Sequence, residues 1–140
     1  EINAPMPAYV VDRCADALNT QSKPLRGSKA LVIGVAYKKN VGDVRESPSL
    51  QLIELLRDKG AEVSYHDPFV PKLGRGRHYA IDLSSVELTP EVLSTSDLVL
   101  IATDHDGIDY AGVVEHGPLV VDTRNATRDV RGDLPHVTLA

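Results

Sequence analysis

The 140-residue chain has a single cysteine, Cys14, so it can form no intrachain disulfide and no cysteine-rich zinc site. That usage suits a reducing compartment. No apolar run approaches the roughly 20 residues of a membrane-spanning helix, and the N-terminus lacks the basic-then-apolar layout of a signal peptide. Positive charge is also in short supply. Fifteen Lys and Arg against 20 Asp and Glu leave a net charge of -5, which offers no general attraction to nucleic acid or to an anionic bilayer. Any anion must be held by a local basic cluster. Internal repeats, heptads and low-complexity tracts are absent as well. With 42% hydrophobic and 25% charged residues, the remaining class is a soluble, cytoplasmic domain with one substantial core. The chain starts at Glu1 inside the approach to a helix, which reads as a piece of a longer protein.

Residues 6–20 carry Met6, Val10, Cys14, Ala17 and Leu18 at helical spacing, with Pro7 suited to a first turn. Pro24 and Gly27 then mark a linker. After it, buried-strand and helix signals alternate. Residues 30–33, 62–66, 98–102 and 119–121 read as strands, and 137–139 as a possible last one. Ser47-Pro48 and Thr89-Pro90 supply an N-cap followed by proline at the first helical position. A further helix is expected around 110–115. Residues 70–77 read as loop, and 79–88 are ambiguous, with room for a short strand. This alternation predicts an α/β, doubly wound, mostly parallel sheet of the Rossmann-like kind. Ligands of such sheets gather beyond the C-terminal ends of the strands. Gly34 to Arg45, Asp67, Thr103 to Asp106 and Asp122 to Asn125 all fall on that edge.

The most informative stretch is GVAYKKNVGDVRESP, residues 34–48. Lys38, Lys39 and Arg45 lie in one loop that leads from a buried strand into a capped helix N-terminus, where a phosphate is the natural guest. A merely solvated basic loop is the competing reading. The usual dinucleotide fingerprint is missing, because Ala36 and Lys39 occupy two of the three glycine positions of G-x-G-x-x-G, so binding here must depend on side chains. In Asp122-Thr-Arg-Asn125, Asp122 could orient Arg124 toward a phosphate or sugar oxygen. A plain surface turn is equally open. Asp104-His-Asp106 and His66-Asp67 lack zinc-site spacing, so no metal is expected. Cys14 lies on an apolar helical face, as a small buried hydrophobe would.

The segment YKKNVGDVRESP, residues 37–48, resembles the aromatic-Lys-x-x-Thr-x-Asp-x-Arg-x-Ser-Pro signature of the UDP-glucose/GDP-mannose dehydrogenase family. Tyr37 stands where Phe is usual, and Val41 replaces the usual Thr and its hydroxyl. His66-Asp-Pro68, Ala102-Thr-Asp-His105 and Asp122-Thr-Arg-Asn125 are similar to further family segments, in the same order. Residues 3–10 resemble the start of the helix that closes the family's central domain.

The resemblance implies an NAD-dependent enzyme that oxidises the C6 alcohol of a UDP-sugar twice, to a carboxylate, in polysaccharide biosynthesis. It divides this chain into the end of a central-domain helix with its linker, residues 1–27, and a C-terminal UDP-sugar-binding domain, residues 28–140. It implies that Tyr37, Lys38 and Arg124 contact the nucleotide sugar and that Arg45 reaches the NAD of another domain. The catalytic Cys, Lys and Asn are expected upstream of this chain, which alone should be inactive. A homodimer through the central domain is implied too. The Tyr37 and Asp-Thr-Arg-Asn variants are more similar to a bacterial branch acting on UDP-N-acetylhexosamines than to glucose-specific members. The rival reading is a stand-alone nucleotide-binding or regulatory α/β module without redox chemistry.

Overall fold

A computed structural model of the chain describes residues 6–36, 40, 44, 47–73 and 81–140. Helix α1 spans Met6–Thr20, and strand β1, Lys29–Ile33, begins the main sheet. Helix α2 (Pro48–Asp58) and strand β2 (Glu62–His66) follow. The short strands β3 (Lys72–Leu73) and β4 (Leu83–Ser84) then pair antiparallel. Helix α3 (Pro90–Thr95), strand β5 (Leu98–Ile101), helix α4 (Tyr110–His116), strand β6 (Val120–Asp122) and strand β7 (Val137–Leu139) complete the chain. The main sheet runs β2-β1-β5-β6-β7, with every pair parallel. Its order reverses between β1 and β5, the place where an open α/β sheet leaves a crevice at its carboxyl edge.

Burial explains why β1 and β5 read as unbroken apolar runs. Ala30, Val32, Leu98 and Leu100 face a core shared with α1 and α2, while Leu31, Ile33, Val99 and Ile101 face one shared with α3 and α4. Covering both faces removes the polar half of the usual strand alternation. In α1, Val10, Val11, Cys14, Ala17 and Leu18 are buried against the first of these cores. Met6, expected on the same stripe, is the first residue of the helix and is 46% exposed.

The two serine- and threonine-proline signals produce the expected caps. Ser47 Oγ accepts the Ser49 N–H and Thr89 Oγ1 accepts the Val92 N–H. Proline at the first position then forgoes an N–H that would have had no helical partner. The expectation of loop at 70–77 fails at β3, where Leu73 is buried and Lys72 exposed. Two residues are too few to show a period, and the pairing is set by packing rather than local pattern. Among the described residues no helix is long and apolar enough to cross a membrane.

Candidate functional site

The turns after β1, β2, β5 and β6 lie on the same edge of the sheet and are held together by buried polar groups. Gly34, after β1, has φ 90°, and its N–H donates to His66 O at 2.9 Å. A Cβ at Gly34 would come within 2.4 Å of Thr103 Cβ. The glycine therefore lets the β1 and β5 turns touch. Thr103 Oγ1 completes the contact by donating to Ala36 O.

Asp67, after β2, is fully buried. Its Oδ2 accepts the N–H groups of Val35 and Ala36 at 2.8 and 3.2 Å, and its Oδ1 accepts that of Phe69 at 2.8 Å. His105 Nε2 lies 2.9 Å from the same Oδ2, also fully buried. A buried carboxylate with this many donors ties three strand ends into one unit. It also bears on NAD. In a dinucleotide site the amides after the first strand approach the pyrophosphate; here the Val35 and Ala36 amides are taken by Asp67. The described residues therefore do not fit a dinucleotide pyrophosphate at the β1 turn.

After β6, Asp122 builds the turn that presents Arg124. Its Oδ1 accepts the N–H groups of Arg124 and Ala126, and its Oδ2 accepts the N–H and hydroxyl of Thr127. Asp122 thus fixes the Arg124 backbone, while the guanidinium beside it, at 3.8 Å, belongs to Arg131. The expected orientation of Arg124 by Asp122 is thus made through the backbone N–H. Arg124 is exposed, and among the described residues its guanidinium makes no hydrogen bond or ion pair.

Burial alone would raise the Asp122 carboxyl, but the Thr127 hydroxyl and the N–H groups of Thr127, Arg124 and Ala126 outweigh it and hold it below the usual aspartate range. A group lowered in the folded state stabilises the fold above its unfolded value, and that contribution is lost as pH falls through the folded one. The urea midpoint should therefore drop as pH is taken below about 4. Asp122→Asn should be less stable at neutral pH and lose less on acidification. An unchanged acid slope in that variant would remove Asp122 from this account.

Two cavities flank Arg124. One of about 650 Å³ is lined by Asp104, Asp122, Thr123, Arg124, Asn125 and Leu139 among others. The other, of about 330 Å³, includes Val10, Ala36, Ser49, Leu52, Thr123 and Arg124. The second reaches the N-terminus of α2, so the guanidinium and the helix end present positive charge to one space.

Of the residues expected to bind ligand, Arg124 is the one the structure describes. Tyr37, Lys38 and Arg45 lie outside the described residues. Cys14 sits in the core, where burial pushes its thiol up to about 12, so it is no nucleophile near neutral pH. His66 donates from Nδ1 to Val86 O, and His105 is engaged with Asp67. Tyr110 is pushed above the usual phenol range by burial and then by the charge of Asp104. Among the described residues no group of three or more His, Cys, Asp and Glu is placed to hold a metal. The Asp67–His105 pair was not visible as a pair in the sequence. The signal available was a polar residue at each of two strand ends, 38 positions apart.

Residues 31–129 match the family described as "UDP-glucose/GDP-mannose dehydrogenase family, UDP binding domain". A UDP-N-acetyl-D-mannosamine dehydrogenase of Methanococcus maripaludis is 37% identical over 107 residues, which are 76% of this chain and 22% of that protein. Among solved structures, a UDP-N-acetyl-mannosamine dehydrogenase of Staphylococcus aureus superposes with a TM-score of 0.71 at 30% identity, over 99% of this chain and 31% of that one. A UDP-glucose dehydrogenase of Pyrobaculum islandicum gives 0.74 at 30% identity, over 95% and 29%. The chain spans roughly a fifth to a third of the length of the relatives it matches. With a family match over residues 31–129 and solved relatives superposing on nearly the whole chain, the chain belongs to the UDP-glucose/GDP-mannose dehydrogenase family, as its UDP-binding domain.

Proposed function

We propose that this chain is the C-terminal, nucleotide-sugar-binding part of a cytoplasmic, homodimeric UDP-sugar 6-dehydrogenase, which oxidises the sugar C6 alcohol to a carboxylate with NAD as oxidant. In this reading residues 1–27 close a central domain and residues 28–140 cover the UDP-sugar. Tyr37, Lys38 and Arg124 hold the nucleotide sugar, and Arg45 reaches NAD bound on another domain. The observation that carries the reading is the exposed Arg124 guanidinium, unpaired among the described residues, which lines two cavities at the carboxyl edge of the sheet. A planar cation on a backbone held by Asp122, beside a capped helix N-terminus, suits a diphosphate. The Asp67-bound amides of the β1 turn support placing the NAD pyrophosphate on a different domain. In this reading the reacting groups lie on other segments, and Cys14, packed in the core, is not the nucleophile.

The two solved structures named above, a UDP-glucose and a UDP-N-acetyl-mannosamine dehydrogenase, both stand at 30% identity. The sugar is therefore to be read by titrating the chain with UDP, UDP-glucose, UDP-N-acetylglucosamine and GDP-mannose, followed by calorimetry. UDP-sugars should bind weakly, because one wall of a cleft buries only part of the ligand, and more weakly as salt rises. The chain alone should reduce no NAD with any of them. Absence of UDP binding, or turnover proportional to the concentration of the chain, would overturn the reading.

A further inference from the structure

His105 is completely buried, yet the proposed binding reading gives it no task. Its two ring nitrogens meet different partners. Nδ1 lies 2.6 Å from the backbone N of Asn40, whose N–H can only donate. Nε2 lies 2.9 Å from the Asp67 carboxylate, which only accepts. Together these contacts fix the neutral tautomer with the proton on Nε2. Neither nitrogen is left to exchange a proton with a ligand.

Asn40 is held from its other side as well. Its Nδ2 donates to Asp106 Oδ2 at 2.8 Å, and its Oδ1 accepts the Asp106 N–H at 2.8 Å. Asn40 adopts φ 61°, a left-handed conformation that asparagine tolerates and that needs such support. In sequence it stands between Lys38 and Arg45, inside the basic loop. Three hydrogen bonds thus tie the middle of that loop to the turn after β5. One of them continues through the imidazole to Asp67, which also binds the loop's departure from β1 at Val35 and Ala36.

From this geometry we infer that His105 is a positioning residue for the nucleotide-sugar site: its Nδ1 holds the backbone of Asn40, two residues after Lys38 in sequence, against the turn after β5. The inference rests on the reading of that loop as a binding element. Holding Asn40 in one conformation raises affinity by removing non-binding states from the free protein. Releasing it should weaken UDP roughly tenfold.

Two substitutions separate the two ring nitrogens. His105→Gln can still donate to Asp67 from its amide but offers no acceptor at the Nδ1 position. His105→Asn can still accept near Nδ1 but leaves Asp67 without that donor. The measurements are the denaturant midpoint, UDP affinity by calorimetry and hydrogen exchange at the Asn40 amide, with imidazole nitrogen shifts reporting the tautomer in the unsubstituted chain. His105→Gln should keep its midpoint, speed Asn40 exchange and weaken UDP about tenfold; His105→Asn should lose stability yet bind UDP nearly as well. Affinity that follows stability across both variants overturns the inference, as does normal UDP affinity in His105→Gln when Asn40 exchange is faster. An unsubstituted chain that binds no UDP overturns the reading of the site itself.

Discussion

Asp67→Ala should cost the fold about 3–5 kcal/mol, enough to leave much of the chain unfolded under conditions in which the unsubstituted protein is intact. The carboxylate accepts backbone N–H groups from Val35, Ala36 and Phe69 and a ring nitrogen from His105, all without solvent access at the carboxylate. Truncation strands these donors, and an unsatisfied buried donor costs more than the bond itself contributed. Asp67→Asn should cost less, because its carbonyl oxygen still accepts, but its amide turns N–H groups toward other donors. Equilibrium unfolding in urea measures both. A loss below about 1 kcal/mol in Asp67→Ala would mean that water or local rearrangement replaces the carboxylate, and the anchor described above would then not exist.

Asp67 also shows where the sequence was legible and where it was not. That a polar residue would follow β2 was readable, because a buried strand must end in a turn and the turn lies on the ligand-bearing edge of a parallel sheet. Its partners were not, since hydrogen bonds to Val35 and His105 join residues 32 and 38 positions away, and no local pattern encodes such a distance. The same limit governs the elements. β1, β5 and the two proline-capped helices carry their signals within a few residues and formed where expected. β3, read as loop, pairs with β4 through residues 10 and 12 positions away, beyond the reach of a local pattern. Asp122 falls between these cases. Its role in shaping the turn was foreseeable from an Asp at a strand end. That it would take the Arg124 backbone N–H rather than the guanidinium, and Thr127, five residues on, with its other oxygen, was not.

That choice leaves the Arg124 guanidinium available, and the largest functional effect is expected there, in the full-length enzyme. A charge-assisted hydrogen bond from guanidinium to a diphosphate or sugar oxygen is worth roughly 1.5–3 kcal/mol, or about tenfold to a hundredfold in affinity. Arg124→Ala should therefore raise the UDP-sugar dissociation constant by that factor and leave NAD nearly unchanged. Stability should hardly move, since the side chain is exposed and the Asp122 turn is built on the backbone N–H, which alanine keeps. Arg124→Lys should recover only part of the loss, because an ammonium restores the charge without the planar fork. Arg45→Ala should show the opposite preference, weakening NAD far more than UDP-sugar, if the family pattern holds for the loop before α2. Dissociation constants for both ligands with each variant decide the matter. Equal weakening of one ligand by both substitutions would remove the division of labour between the two arginines. An Arg124→Ala enzyme with unchanged UDP-sugar affinity would move the binding site away from the β6 turn altogether.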